Sequence, residues 1–314
     1  MYYPYLRGKQ FELVMLREQA ENIARWGFVP IIEPVRENFP ALKRALTALV
    51  ENNCHFILIA NPSVGQLVHG NGDLREQIFE ELLGGYPAFQ VGLCLTQNSS
   101  VADVDKYFTS FELPTAVIHK GFSDGRVLAE TLAEYQGQLS SHVFVGLQAA
   151  RMYRRHFTGI TRVIVEDGFN KPLRNADYPA SERYSDLYLT YGEVPGEAFG
   201  DFLVVGDDYS DGGGPAFAVA IHLTYAEPDD EGQLYINHYV STSNKTAADT
   251  AGKFAEALEK LVADVSSPGT KVFRSNAVAE YLRLHQAQHF PGLGYIKKLS
   301  MQHHMELMAH LLGR

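Results

Sequence analysis

The sequence predicts an α/β fold of the (β/α)8 TIM-barrel-like kind, with an inserted β-hairpin and extra C-terminal helices. Three observations lead there. Short apolar runs alternate with segments of helical spacing along the first two thirds of the chain. Most runs are apolar at consecutive positions, as in strands buried on both faces. Eight such units recur at spacings of roughly 20–40 residues, the length that parallel strands with helical crossovers need.

The units read in order. Tyr2–Leu6 is a short aromatic strand, and Phe11–Trp26 carries Leu13, Leu16, Ala20, Ile23 and Ala24 on one helical stripe. Phe28–Val35 (FVPIIEPV) is the next strand, followed by a helix over Pro40–Glu51 with Leu42, Ala45, Leu46 and Leu49 on one face. His55–Ala60 is a strand of continuous aliphatic residues, and Asp73–Leu83 is helical behind an acidic cap. Gln90–Leu95, Thr115–His119, His142–Leu147 and Arg162–Glu166 are strands, with helices at Val101–Phe111 and Gly125–Tyr135 and a basic segment after the sixth strand. Pro179–Tyr191 reads as a helix and Phe202–Val205 as the eighth strand. An open doubly wound sheet is the rival arrangement.

The alternation breaks after Asp201. Asp207–Pro215 (DDYSDGGGP) is a loop by its glycines and aspartates. Ala216–Tyr225 and Gln233–Ser241 form a hairpin, which either follows the eighth strand or supplies the closing strand itself. Thr246–Val262, Asn276–His289 and Met301–Leu312 are amphipathic helices expected to pack on the barrel. No Gly-, Ser- or Pro-rich linker appears, so residues 1–314 are expected to form a single barrel-like domain. Its parts are the alternating units (1–206), the loop and hairpin (207–245) and the C-terminal helices (246–314).

Composition narrows the function classes. The formal net charge of −10 does not suit binding to a nucleic-acid backbone. Local basic density exists at 151–174 and 271–314, where solvated helix faces are the competing explanation. Cys54 and Cys94 lie in apolar runs and read as buried thiols of a reducing, cytoplasmic compartment. The opening MYYPYLRGK lacks the pattern of a signal peptide, and the apolar run Phe56–Ala60 is far short of a membrane span.

In a (β/α)8 barrel the chemistry sits where strands end, at the C-terminal mouth. That rule selects Arg7, Lys9 and Glu12 after strand one, Glu33 on strand two, Asn61 on strand three, and Thr96 and Gln97 on strand four. It further selects His119 and Lys120, Gln148 and Arg151, Glu166 and Asp167, and Asp201, Asp207 and Asp208. Glu33 stands out, because a carboxylate between Ile32 and Pro34 needs a cation, and Arg7 or Lys9 on the neighbouring strand is the natural partner. Such a pair is either structural or poised for acid–base work. Lys9, Glu12, Glu33, Glu166 and Asp201 are therefore the catalytic candidates. Arg7, Asn61, His119, Gln148, Arg151, His303 and His304 are the ligand-binding ones. Glu33, Glu166, Asp167, Asp201 and Asp207 could gather Mg2+ or another divalent cation if they converge. His285 and His289 have i,i+4 spacing but no evident third metal ligand. Walker, GxGxxG and GxSxG motifs are all missing.

The opening YYPYLRGKQFELVML, the segment VPIIEPV, the GDFLVV stretch before the hairpin and the HHMEL near the C-terminus resemble the Beta protein family of bacteria and phages. The likeness is greatest to an uncharacterised bacterial branch encoded beside a second small protein. Its most specific part is a Y-x-P-x-L-x-x-K-x-x-E pattern on Tyr2, Pro4, Leu6, Lys9 and Glu12, with Tyr3 and Tyr5 between its fixed positions. The resemblance implies a barrel-like fold and a partner from the neighbouring gene, in the manner of phage-defence or toxin–antitoxin-like systems. It carries no activity to transfer. Two functions are thus expected to compete: a module of a two-protein bacterial system with a polar site at the barrel mouth, and a metal-dependent hydrolase of phosphoesters or nucleotides. A small phosphorylated ligand is a further expected partner. Direct nucleic-acid binding is the weakest expectation.

Overall fold

The computed structural model of the chain describes residues 1–70, 73–146, 151–193, 196–212 and 214–314. These form two compact units. Met1–Glu166 with Leu187–Phe202 make the first, and Asp167–Asp186 with Leu203–Arg314 the second.

The first unit is the barrel. Its strands are β1 (Tyr5–Leu6), β2 (Ile31–Ile32), β3 (Phe56–Ile59), β4 (Phe89–Thr96), β5 (Thr115–Lys120), β6 (Leu139–Val145) and β7 (Thr161–Glu166). β8 (Ser181–Ser185) belongs to the second unit, and β9 (Ala198–Asp201) returns to the first. Every neighbouring pair from β1 through β7 to β9 is parallel. The seam closes because Tyr2 bridges Phe199 in parallel register and the Tyr3 N–H donates to Phe199 O at 2.8 Å. That approach requires glycine at position 200, where a Cβ would lie 2.0 Å from Tyr3 O.

The crossovers are helical. They are α1 (Gln10–Trp26), α2 (Pro40–Glu51), a wide helical turn at Arg75–Glu80, α3 (Val101–Ser110), α4 (Gly125–Leu132), α5 (Arg151–Arg154) and α6 (Leu187–Thr190). Local chemistry sets their ends. Gly27 is left-handed, and the Gly27 and Phe28 N–H groups donate to Ala24 O and Ile23 O, which stops α1 with its last carbonyls satisfied. Ser100 and Asp103 cap α3 reciprocally, and Asp124 accepts from the Val127 N–H at the start of α4. Tyr3, Tyr5, Ile31, Ile57, Ile59, Cys94, Ile118, Val143 and Val163 fill the barrel interior.

The second unit is a three-stranded antiparallel sheet in the order β10–β11–β8, with β10 (Ala220–Ala226) and β11 (Leu234–Val240) as the hairpin. The helices α7 (Thr250–Val265), α8 (Asn276–Gln286) and α9 (Leu293–Leu311) build its core with Ile221, Leu223 and Tyr239. No helix among the described residues is long and apolar enough to cross a membrane.

The barrel, the hairpin and the C-terminal helices agree with the sequence reading, and two details differ. The closing strand is Ala198–Asp201, and the chain leaves strand geometry after it in a turn at 203–205, with Leu203 at φ 53°. Within Pro179–Tyr191, expected as a helix throughout, Leu187–Thr190 is helical but Ser181–Ser185 forms β8, because β11 offers an antiparallel partner with Glu182 opposite Ile236. Of the two arrangements open for the hairpin, the observed one has it follow the closing strand and pair with β8. The C-terminal helices belong to the hairpin's compact unit.

Candidate functional site

Alternation along a strand decides which strand-end side chains reach the barrel mouth, since successive residues point to opposite faces. Tyr3 and Tyr5, Val29 and Ile31, Ile57 and Ile59, Cys94, and Ala116 and Ile118 face inward. Extending each series by two positions brings Arg7, Glu33, Asn61, Thr96 and Lys120 to the C-terminal end.

Glu33 is the floor of this mouth and is fully buried. Its Oε2 accepts from the Tyr5 hydroxyl at 2.8 Å, and its Oε1 accepts from the Ser63 N–H at 2.6 Å and the Ser63 hydroxyl at 2.7 Å. Arg7 Nε stands 3.5 Å from Glu33 Oε2. The guanidinium lies 5.5 Å from the Tyr5 ring centroid and 5.4 Å from that of Phe202, so two aromatic faces share its charge with the carboxylate. Burial and the Glu33 carboxylate keep the Tyr5 phenol protonated well above its usual range. Burial, followed by Glu33, pushes the Cys94 thiol up to about 12, so it is no nucleophile at neutral pH.

The β1–α1 corner holds this floor in place. Gly8 takes a left-handed φ of 59°, and the buried Glu12 carboxylate accepts from the Arg7 N–H at 2.6 Å and the Lys9 N–H at 3.4 Å. Glu12 is therefore a backbone clamp. Lys9 is the partly exposed N-cap residue of α1. Asn61 extends the β3–β4 ladder with its side chain: Nδ2 donates to Cys94 O and Oδ1 accepts from the Cys94 N–H, each at 2.8 Å.

Above the floor opens a pocket of about 480 Å³, walled by the segments after β3, β4 and β5, with Ser63, Cys94, Thr96, Asn98, Ser99 and Lys120 in its lining. The Thr96 hydroxyl accepts from the Asn98 N–H at 3.2 Å, and the Ser99 hydroxyl accepts from the Thr96 N–H at 3.0 Å. Each hydroxyl then has its own hydrogen left to donate. The Lys120 ammonium lies 5.9 Å from the Tyr5 ring centroid on the same inward face. Lys120 brings an ammonium to a lining that also holds the Thr96 and Ser99 hydroxyls.

The remaining candidates lie elsewhere. Asp201 and Glu166 fall on the outward phase of their strands, and Asp201 accepts from the buried Tyr2 hydroxyl at 2.7 Å. His119 also points outward, between Tyr153 and His142. Asp167 and Asp207 belong to the second unit, where Asp167 accepts from the Phe169 N–H at 2.9 Å and the Asp207 N–H at 2.7 Å. His303 and His304 are both buried in that unit. His303 binds Ser275 Oγ at 2.7 Å and Thr224 O at 2.8 Å, and His304 binds Thr224 Oγ1 at 2.9 Å. Gln148 and the Arg151 side chain lie outside the described residues. Among the described residues no group of three or more His, Cys, Asp or Glu could hold a metal ion. The carboxylates expected to gather a divalent cation do not form such a group.

Tyr5, Ser63, Cys94 and Phe202 escaped the strand-end rule. Tyr5 was accessible through alternation from Tyr3. Ser63 had no local signal, because its role depends on a loop folding back onto Glu33.

No protein-family model matches the chain, and no curated protein matches it.

Proposed function

We propose that this protein binds a small phosphorylated ligand at the barrel mouth. The observation that carries the reading is the pocket beside Lys120, whose Thr96 and Ser99 hydroxyls are left as donors by the backbone N–H groups they accept. An ammonium, two hydroxyl donors and the side-chain amides of Gln97 and Asn98 form a set that an anion with several acceptor oxygens fills. The volume of about 480 Å³ fits a sugar or nucleoside phosphate better than the bare anion. The Cys94 thiol of the lining and the Tyr5 phenol beneath it both stay protonated, which favours recognition over covalent catalysis. A thermal-shift screen of inorganic phosphate, pyrophosphate, sugar phosphates and mononucleotides tests it. At least one probe should raise the melting temperature saturably, and Lys120→Ala should remove the effect. Silence from every probe at millimolar concentration defeats the reading.

The Beta protein resemblance supports a cytoplasmic, bacterial setting in which this barrel works with a second protein from a neighbouring gene, in a phage-defence or toxin–antitoxin-like pair. Three of the resembling segments supply Tyr5 and Arg7, Glu33 and Phe202, which meet at one point of the mouth. Co-expression with the neighbouring gene product followed by size-exclusion chromatography tests the pairing, and separate elution at micromolar concentration argues against it.

A further inference from the structure

A second cavity, of about 380 Å³, lies on the outer side of the barrel wall, between α4 with the turn after it and the segment leading into β7. Leu132, Leu139, Phe157 and Ile160 supply the apolar part of its walls, and polar groups make up the rest. Its titratable lining groups are His142, which is buried, and His156, which is exposed. No Lys, Arg, Asp or Glu lines it.

His142 is the end of a buried relay. Its Nδ1 is 3.0 Å from His119 Nε2, and His119 Nδ1 is 2.8 Å from the Tyr153 hydroxyl. Phe144 and Phe157 pack around both imidazoles. Burial, with the Arg162 charge second, holds His142 down to about 4, and burial then His142 itself hold His119 well below its usual value. Both rings are therefore neutral at pH 7, each with one donor and one acceptor nitrogen.

The direction of the relay follows from its far end. Among the described residues the Tyr153 hydroxyl meets no acceptor except His119 Nδ1, so Tyr153 donates to His119. His119 Nε2 must then carry the ring proton and donate to His142 Nδ1. That leaves the proton of His142 on Nε2, which makes no hydrogen bond among the described residues. The His142 ring lines the cavity, so that donor is open to a molecule that supplies an acceptor.

We propose that this cavity is a second ligand site, built for a small neutral amide whose carbonyl accepts from His142 Nε2 and whose ring or chain packs against Leu132, Leu139, Phe157 and Ile160. The uncharged lining disfavours ions of either sign. The Gln136 side chain, in the cavity lining, offers an acceptor for the amide N–H. This site is independent of the phosphate reading at the mouth.

The test is calorimetric titration of the full chain with benzamide and with benzoate, its charged isostere. The binding site is located from the ring ¹⁵N resonances of histidine-labelled protein. Benzamide should bind saturably and move the His142 resonances, and benzoate should bind at least tenfold more weakly. His142→Phe should abolish binding. Because that change also strands His119, Ala133→Trp is the second variant. Ala133 is an exposed lining residue, so tryptophan there blocks the cavity while leaving the relay intact. Absence of saturable benzamide binding, equal affinity for benzoate, unmoved His142 resonances, or binding that survives Ala133→Trp would each overturn the proposal.

Discussion

Arg7 Nε lies 3.5 Å from Glu33 Oε2, and neither side chain reaches solvent to any useful extent. Two charges removed from water hold each other there, and the loss of one leaves the other stranded. Arg7→Met should therefore destabilise the barrel by about 3–5 kcal/mol, as should Glu33→Met. The double variant should cost clearly less than the sum, because no lone charge remains. Urea unfolding followed by Trp26 fluorescence is a clean readout, since Trp26 is the only tryptophan and sits at the end of α1 in the barrel unit. Strict additivity of the two single costs would show that the pair is not coupled.

Closure of the barrel depends on a position without a side chain. A Cβ at residue 200 would meet the Tyr3 carbonyl oxygen at 2.0 Å, a backbone atom that cannot swing aside. Gly200→Ala should cost at least about 1–3 kcal/mol and open the β9–β1 seam before the rest of the unit. Hydrogen exchange at the Tyr3 amide, which donates to Phe199 O across that seam, is the direct reading. Unchanged protection there would mean that the strands can part without cost.

Several histidines are buried as neutral rings. His142 and His303 are each held down to about 4, chiefly by burial, and His119 lies well below its usual value for the same reason. For such a group the unfolded chain takes up the proton first. Its stability contribution is present above pH ~6.5 and is lost as the pH falls toward the folded value. Each contributes a slope of about 1.4 kcal/mol per pH unit in that window. Melting temperatures should thus decline between pH 6.5 and 4.5, and His303→Gln should flatten the decline of the second unit. An unchanged slope in that variant would show that His303 takes up its proton in the folded state.

Much of the fold was legible in the sequence because β3 through β7 are buried on both faces and read as apolar runs. The eighth strand was misplaced for a physical reason. Ala198–Asp201 (AFGD) has weak strand propensity and pairs only because glycine admits Tyr3, while the strongly β-prone FLVV that follows bends away at Leu203. β8 was hidden because its order comes from β11, some fifty residues later. At the site, the strand-end rule found Arg7, Glu33 and Lys120 but ignored phase. Phase places His119, Glu166 and Asp201 on the outside, and period-two counting from Ile118, Val165 and Ala198 was enough to see it. The clamp formed by Glu12 and the loop contact from Ser63 depend on backbone positions that no residue pattern encodes.

The distinction of phase makes a last prediction. If ligand binding belongs to the inward set, changes on the outward set should leave it alone. Asp201→Asn keeps an oxygen acceptor for the Tyr2 hydroxyl, and Glu166→Gln keeps the size of the residue at the end of β7. Both variants should bind a phosphorylated probe within about twofold of the parent, which corresponds to roughly 0.4 kcal/mol. Thr96→Val and Ser99→Ala remove donors from the pocket and should each weaken binding by about 0.5–1.5 kcal/mol, or some two- to tenfold. Calorimetric titration of the four variants against one probe separates the two sets. A large loss in Asp201→Asn or Glu166→Gln, with Thr96→Val and Ser99→Ala unaffected, would move the binding site off the barrel mouth and onto the outer layer.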